Sequence, residues 1–423
     1  MIHPPAAAPP LLPGLAEPER HRLANGNTVI GLALEEAPLV CLNFWCRAGS
    51  VFERPEESGL AHFLEHMVFK GSERLGAGEF DRRIEALGGS SNAATGFDDV
   101  NYHVLIPPAA AGEALDLLLD LVLEPRLEAD AFAMERRVVL EELAQSEDQP
   151  EEVALQRLLG RAAPDHAYGL PILGRRDALL AHTPDAMAAF HRRLYGGGRC
   201  VLAMGGAITP ALLERAAHGA LAALPPAADL PPPPALQLRP GEQRLALPRL
   251  EAARLLMVWP LPPAADHDGV IGADLATTLL AEGRRSRLVD RLREQVRIVE
   301  SIDLDLHVLE GGSLALLEAV CDEEELPAVR QAIGEVWREL AEQPLAEEEW
   351  RRALRLVSNG YRFGLEAAGG VAGLLGSNQL WGRQQPLDQP LRQLEQWSPQ
   401  RLQHSLLPLL DPERACVLEA VPA

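Results

Sequence analysis

The pentapeptide His62-Phe63-Leu64-Glu65-His66 carries the residue types of a metal-assisted hydrolytic site. On a helix, His62 and His66 lie about 40° apart and Glu65 lies about 60° to the other side of His62, so the three side chains share one face. Two imidazoles one turn apart can clamp a divalent metal, and zinc held by two His and a carboxylate keeps a position open for water. A nearby Glu can accept the proton of that water as it attacks a carbonyl. An amphipathic helix with two solvated histidines would give the same pattern, so a second feature must agree.

A third metal ligand is predicted in the segment 135–142, which has a helical pattern and ends in two glutamates. Glu135 and Glu142 are seven residues apart and therefore share a helix face. Glu142 is the candidate ligand, and Glu135, two turns earlier, is the candidate supporting residue that orients a ligand or the attacking water. Glu141 points about 100° away and is interpreted as a solvated neighbour. From the residues alone, an exposed acidic face is the simpler interpretation of these glutamates.

The composition is typical of a globular acidic protein with more than one domain. The chain has 423 residues, of which 47% are hydrophobic, and a formal net charge of −22. This length exceeds that of one ordinary core and predicts two or more domains. The excess of acidic residues argues against a nucleic-acid partner, because such binding depends on Lys and Arg that neutralise phosphates. Long-range attraction would instead favour basic or neutral peptides.

Cysteine usage and hydropathy indicate the compartment. The five cysteines, at 41, 46, 200, 321 and 416, form no C-x-x-C pair, so buried and reduced thiols are expected. No apolar stretch is long enough to span a bilayer, and the N-terminus lacks the basic and apolar regions of a secretory signal. We therefore expect a cytoplasmic protein that has no membrane partner.

Two proline-rich segments divide the chain. Residues 1–18 are rich in Pro and Ala and predict an extended arm, whereas residues 223–240 contain the run Pro231–Pro234 and predict a semi-rigid linker. The remaining segments, 19–222 and 241–423, are predicted to be two domains of similar length. The second repeats the order of the first in outline, which suggests a duplication.

Apolar runs and helical periods place the elements around the candidate site. Ser58 is the predicted N-cap of the helix that carries the metal motif. The predicted strands are 28–34, 39–46, 90–95, 100–106, 254–259, 301–309 and 314–320. The further predicted helices are 109–124, 128–147, 269–281, 285–295 and 324–342.

The order and spacing of these motifs resemble the M16, or pitrilysin-like, metallopeptidase family, in the short two-domain form of the processing-peptidase-like subunits. The resemblance begins with His62-x-x-Glu65-His66 and ends with Glu142, seventy-six residues after His66. Between them, the matching runs are Met67–Ser72, Ile84–Gly89, Asn92–Thr95 and Tyr102. Agreement over about eighty positions is far more specific than a single motif.

The resemblance implies both a fold and a function. The fold is α+β: two homologous α/β-sandwich domains, each a mixed or antiparallel sheet flanked by helices, form half of a clamshell. The function is that of a zinc metalloendopeptidase with one Zn²⁺ per chain, bound by His62, His66 and Glu142. Glu65 would be the general base and Glu135 would support the site. The segment 90–95 would be a sheet edge that binds the substrate as an added strand, with Asn92, Ala93 and Ala94 in contact with it. From the residues alone, Asn92 is more simply a turn residue.

One position departs from the family pattern. Many members carry an Arg and a Tyr seven residues apart in the C-terminal half; Arg293 matches the Arg, but Glu300 replaces the Tyr. A phenol can donate a hydrogen bond to a developing oxyanion, whereas an ionised Glu can only accept one. We therefore predict a partner, a second M16-like subunit that supplies the Arg/Tyr pair in a heterodimer, or otherwise a homodimer. Alternatively, Tyr361 or Arg293 alone serves the oxyanion.

Two questions of function stay open at the level of sequence. A non-catalytic scaffold or core subunit of a heteromeric complex is the alternative to an enzyme, although the intact zinc-binding set argues against it. The substrate is either one precursor peptide that is processed or a wider range of peptides that are degraded.

Overall fold

The computed structural model describes residues 15–227 and 230–423. Most of the predicted N-terminal arm, residues 1–14, and residues 228–229 of the predicted linker therefore lie outside the described residues. Two sheets flanked by helices form the framework of the described chain. The fold is thus mixed α and β with two domains, as the resemblance implied.

The first sheet has six strands in the order β1-β2-β6-β3-β5-β4, so β4 is an edge strand. The predicted strands of this half are found to within one residue, whereas β1 and β6 were not predicted. Strand β6 is buried at every position and pairs with β2 in parallel and with β3 antiparallel. The strands are β1 (Glu19–Arg22), β2 (Thr28–Ala33), β3 (Val40–Cys46), β4 (Ser90–Thr95), β5 (Val100–Ile106) and β6 (Cys200–Gly206).

The second sheet has five strands in the order β7-β11-β8-β10-β9. If β1 is set aside, the two sheets have the same strand order, and in each the first and last strands of the half pair in parallel. This shared topology confirms the duplication that the order of elements had suggested. The strands are β7 (Gly241–Leu247), β8 (Ala253–Leu261), β9 (Ser301–His307), β10 (Ser313–Cys321) and β11 (Cys416–Pro422).

The helices cover both faces of each sheet. They are α1 (Leu60–Val68), α2 (Glu79–Ala86), α3 (Ala111–Leu123), α4 (Ala129–Asp148), α5 (Pro150–Ala162), α6 (Arg176–Ala181), α7 (Pro184–Leu194), α8 (Pro210–Ala217), α9 (Ala220–Ala223), α10 (His267–Ala281), α11 (Leu326–Glu342), α12 (Glu347–Gly364), α13 (Ala368–Leu380), α14 (Gln389–Leu394) and α15 (Pro399–Ser405). Short 3₁₀ helices are Ser50–Phe52, Pro55–Glu57, Pro108–Ala110, Ala167–Gly169, Glu323–Glu325, Leu407–Leu410 and Pro412–Arg414.

Each half contributes one helix to the sheet of the other half. Helices α1, α3 and α7 pack on one face of the first sheet, but its opposite face is covered by α13 from the C-terminal half. In the second sheet, α10 and α11 cover one face and α5 from the N-terminal half covers the other. Gly376 permits the close approach of α13, because a Cβ atom there would lie 2.2 Å from Trp45 Nε1. Since α5 and α13 cross between the halves, the boundaries 19–222 and 241–423 remain predictions.

Two local predictions differ from the structure. The predicted helix 285–295 is largely a π-helix, Val289–Val296, which ends at Arg297 with a φ of 61°. Helix α1 has Gly59 at its N-cap, with a φ of 83°, instead of Ser58. The Ser58 hydroxyl accepts a hydrogen bond from the Arg175 N–H, 3.2 Å away, so it is committed to the neighbouring loop.

The cysteines and the helix lengths agree with the sequence. All five cysteines are buried free thiols. Within residues 15–227 and 230–423, no helix combines the length and the apolar character that a bilayer crossing requires.

Candidate metal centre

Helix α1 fixes the two histidines because its other side belongs to the core. Leu60, Phe63, Leu64 and Met67 are all fully buried against the first sheet. The helix begins at Gly59, where the Glu53 carboxylate accepts hydrogen bonds from the Gly59 N–H at 2.9 Å and the Ala61 N–H at 2.7 Å. A carboxyl group at this position accepts hydrogen bonds from free amides of the first turn. Glu53 therefore anchors the start of the metal-binding helix.

Helix α4 carries the two glutamates to α1. Phe132 of α4 packs on Phe63 of α1, with ring centroids 4.6 Å apart, and Val139 of α4 is fully buried. Glu135 and Glu142 flank Val139 along α4, and both carboxylates reach the histidines of α1.

The three predicted metal ligands converge. One ligand atom from each of His62, His66 and Glu142 lies within 4.8 Å of the others. The distance is 3.7 Å from His62 Nε2 to Glu142 Oε1 and 3.4 Å from His66 Nε2 to Glu142 Oε2. These separations are longer than ordinary hydrogen bonds, so three electron-pair donors face each other without a direct partner. Two imidazoles and one carboxylate match the ligands of a catalytic zinc site, and the residues fit this metal.

Glu135, the predicted supporting residue, lies beside His66. His66 Nδ1 lies 2.9 Å from Glu135 Oε1, so the Nδ1–H donates to the carboxylate and the Nε2 lone pair is free to bind a metal. Lys70 Nζ lies 2.6 Å from Glu135 Oε2. Lys70 thus fixes the Glu135 carboxylate, which in turn orients His66. The sequence prediction gave Lys70 no role, although its position four residues after His66 places it near the same helix face.

Burial favours the neutral imidazole of His62 and makes the Glu65 carboxylate more basic. Burial, with a smaller effect of His66, lowers the pKa of His62 to about 4, and the neutral ring is the form that binds metal. Burial raises the pKa of Glu65, and Glu142 raises it further, while the Thr95 hydroxyl and His66 act in the opposite direction. A raised carboxyl pKa suits a group that must both accept and release a proton.

The predicted substrate residues lie on the edge strand β4. Asn92 and Ala94 are exposed, and Ala93 is half-buried towards the core. The Ala93 N–H donates to Asn92 Oδ1 at 2.9 Å. The turn that follows β4 is closed by a hydrogen bond from the Gly96 N–H to the Asp99 carbonyl, 2.8 Å long. Antiparallel pairing alternates, so the backbone polar groups of Ala93 and Thr95 point away from β5 towards the open edge.

None of the three candidate residues of the C-terminal half joins the metal centre; these candidates are Arg293, Glu300 and Tyr361. Arg293, on the π-helix, donates to the neighbouring Glu294 Oε1 from Nε at 3.0 Å and from Nη2 at 2.8 Å, and Glu300 is exposed. The Tyr361 hydroxyl donates to the Leu387 carbonyl at 2.7 Å, and its ring packs with the α13 cluster on the face of the first sheet opposite α1. Tyr361 therefore does not complete the site in this structure.

Two further contacts were not foreseen from the sequence. The Thr95 hydroxyl donates to Glu65 Oε2, which connects the edge strand to the candidate base. Glu53 caps α1 from six residues before Gly59. Thr95 lies in the matching run Asn92–Thr95 but was given no role, and Glu53 belongs to no motif. The packing of the loop and of β4 against α1 brings both residues to the site.

A duplicated α/β half that carries a group able to hold a metal ion defines the class, and comparison with known proteins gives the family. The family model described as Insulinase (Peptidase family M16) matches residues 31–176. The model described as Peptidase M16 inactive domain matches residues 181–357. The chain belongs to the M16 peptidase family.

Relatives across bacteria share most of the chain. A protein of Mycobacterium leprae named an uncharacterized zinc protease is 27% identical over 397 residues, which cover 92% of this chain and 89% of the relative. A similarly named protein of Mycobacterium tuberculosis is 27% identical over 385 residues, covering 90% and 87%. The crystal structure of a protease from Helicobacter pylori superposes with a TM-score of 0.89 at 22% identity, covering 96% of this chain and 100% of that one. The last comparison supports the fold alone.

Proposed function

We propose that this protein is a zinc-dependent metalloendopeptidase that hydrolyses peptide bonds in oligopeptides or in unfolded or precursor peptides. The observation that carries the proposal is the convergence of His62, His66 and Glu142 beside the half-buried carboxylate of Glu65. The family and the names of the relatives support protease chemistry in general. The names of the relatives also support zinc, and one ion per chain is part of the proposal.

Each residue of the site has a distinct task in this proposal. His62, His66 and Glu142 hold the zinc ion, while Glu135, braced by Lys70, keeps the Nε2 atom of His66 directed at it. The bound zinc would polarise the scissile carbonyl and acidify a water molecule. Glu65 accepts the proton of this water as the water attacks the carbonyl carbon, and it then delivers the proton to the leaving amine. The proton count is thus restored at the end of each cycle.

The substrate binds as an extended strand along β4. Ala93 and Thr95 offer main-chain groups to the open edge, and pairing of this kind reads the backbone of a peptide more than its side chains. In the structure, Asn92 Oδ1 accepts a hydrogen bond from the Ala93 N–H. On substrate binding, this bond would break and the Asn92 side chain would contact the peptide near the scissile bond. Ala94 leaves room beside the incoming chain.

A second M16-like subunit with an Arg/Tyr pair completes the site in this proposal. Glu300 at the position of the Tyr, the pairing of Arg293 with Glu294 and the commitment of Tyr361 to Leu387 all support an oxyanion donor from another chain. The predicted heterodimer is our first choice, and a homodimer is the alternative. A cytoplasmic location remains a prediction.

The experiment is a cleavage assay on unfolded and precursor-like peptides, with the chain alone and co-expressed with an M16-like subunit of the same source. We expect about one zinc per chain, turnover only with the partner, and loss of turnover but not of zinc in Glu65→Gln. Turnover by the chain alone would exclude the need for a partner. No zinc in protein purified without chelator, together with no turnover in either preparation, would instead identify a scaffold subunit.

A further inference from the structure

The hydroxyl of Thr95 is placed between the substrate edge and the candidate base. Thr95 is the last residue of β4, and its side chain points to α1, where the hydroxyl donates to Glu65 Oε2. Its backbone N–H and carbonyl point to the open edge of the sheet, because the Gly96–Asp99 hydrogen bond fixes the alternation of pairing. One residue therefore contacts both the base and the position of an added strand.

The contact restricts the carboxylate of Glu65. A carboxylate on a helix has a nearly free terminal torsion, and the donor on Oε2 fixes that torsion. The other oxygen, Oε1, is left free to accept the proton of the water. Glu65 has no other side-chain donor among the hydrogen bonds of the described residues.

We propose that Thr95 is a positioning residue that aligns Glu65 with the scissile bond of a peptide paired to β4. The inference rests on the proposed function. Because the backbone of Thr95 holds the peptide and its hydroxyl holds the carboxylate, the strand that receives the substrate also sets the direction of the base. The hydroxyl acts through Glu65 and does not itself touch the reacting atoms.

The test compares Thr95→Val, which is nearly isosteric but lacks the hydroxyl, with Thr95→Ser, which keeps it. Thr28→Val is the matched control, since Thr28 is a buried threonine on β2 of the same sheet, away from the metal centre. With a peptide that the wild-type protein cleaves, we expect Thr95→Val to lower kcat about 10- to 100-fold, the cost of a misplaced catalytic group. KM should change less than about twofold, because the main-chain pairing is retained.

Two further measurements separate positioning from general damage. Thr95→Ser and Thr28→Val should keep kcat within about threefold of wild type, and all variants should keep their zinc. In a Glu65→Gln background, Thr95→Val should have no further effect on the residual rate, because the two residues act as one unit. Equal kcat values for Thr95→Val and Thr28→Val, or no rescue by Thr95→Ser, would overturn the inference.

The orientation of Glu65 gives a readout that does not depend on activity. In a crystal structure of zinc-loaded Thr95→Val, we expect the Glu65 carboxylate to rotate away from its wild-type position. An unchanged carboxylate would overturn the inference even if no peptide were cleaved. Absence of turnover in wild type, with and without a partner subunit, would count against the proposed function, and the position of Glu65 would still decide the role of Thr95.

Discussion

Replacing Asp99 with Asn should stabilise the protein, and more so at alkaline than at acidic pH. Asp99 follows Asp98 in the turn after β4, and burial, together with the charges of Asp98 and Glu310, raises its pKa to about 7. Asp98 accepts hydrogen bonds from the Tyr168 hydroxyl at 2.6 Å and the Glu310 N–H at 2.7 Å. Arg47 pairs with Glu310 at 2.5 Å. The two halves thus meet at a cluster of three carboxyl groups and one arginine. The carboxyl groups are those of Asp98, Asp99 and Glu310, and the arginine is Arg47, which pairs with Glu310.

The sign of the effect follows from the raised pKa. Below the unfolded value of 3.8, Asp99 is protonated in both states and contributes no cost. As the pH rises towards 7, the unfolded chain loses the proton while the folded chain keeps it, so stability is lost progressively across this window. Above pH 7, the folded protein carries the full cost of a charged carboxylate in this cluster. The side-chain amide of the Asp99→Asn variant has no acidic proton to lose, so it stays neutral at every pH and escapes the penalty.

The magnitude is limited by the partial exposure of this side chain. One pKa unit corresponds to about 1.4 kcal/mol, so the rise between pH 5 and pH 8 has an upper bound of about 3 kcal/mol. Solvent screening at a half-buried carboxylate reduces this figure, and we expect a difference of about 1 to 2 kcal/mol. The expected gain in Tm for Asp99→Asn is therefore about 1 to 2 °C larger at pH 8 than at pH 5.

Thermal unfolding of wild type, Asp99→Asn and the exposed control Glu36→Gln at both pH values tests this reasoning. Titration of groups elsewhere in the chain affects all three proteins alike and cancels in the comparison between variants. A Tm difference between Asp99→Asn and wild type that is the same at pH 5 and pH 8 would refute it. So would a loss of stability at pH 8, which would mean that the Asp99 charge is favourable in the folded state.

Two other predictions follow from the contacts of the site and of the crossing helices. Lys70→Met should weaken zinc binding about tenfold, because Glu135 loses its brace and His66 loses orientation; competition with a chromogenic chelator measures this, and unchanged affinity would show that Glu135 needs no brace. Leu375→Ala, at a 3% exposed position of α13, should cost about 2 to 4 kcal/mol of stability. Urea unfolding measures that loss, and the exposed Gly369→Ala on the same helix is the control. A loss below about 1 kcal/mol would mean that the packing of α13 on the first sheet contributes little to stability.

Sequence reasoning could predict the site residues that lie on the same helix, because the helix fixes their relative positions. His62, Glu65 and His66 share α1, and Glu135 and Glu142 share α4, so helical periodicity alone orients each set. The two sets meet where Phe63 packs on Phe132. The family resemblance implied that the two sets share one metal site, but it did not imply this contact. Thr95 comes from a third element, and no periodicity relates a strand residue to a helix residue thirty positions away.

The exchange of α5 and α13 has a similar cause. An amphipathic period indicates that a helix buries one face, but it does not say against which sheet. Residues 223–240 separate the two sheets along the chain, and a proline-rich segment predicts a boundary there. Helix α5 precedes that segment yet packs on β8 and β11 through Leu158 and Leu418. The proline-rich segment therefore separates the two sheets along the chain, but it does not separate all the helices that cover them.

The duplication also explains why the metal centre occurs in one half. In both halves, a helix lies in sequence between the second and third strands of the shared topology, α1 in the first and α10 in the second. Helix α1 leaves His66 and Glu65 partly open, whereas α10 is buried at nearly every position from Gly269 to Ala281. Its buried face is completed by the core that includes Trp397 and Leu394.

A helix covered on all sides has no surface where a peptide and a water molecule can meet. Accordingly, within the part of the chain that the structure describes, His62, His66 and Glu142 form the one group of three or more His, Cys, Asp or Glu residues able to hold a metal. Any contribution of the second half to catalysis would therefore come from residues that it presents to the first half or to another chain. Arg293 is paired with Glu294 and Glu300 replaces a phenol, and these two observations are the ground on which we propose an oxyanion donor from a partner subunit.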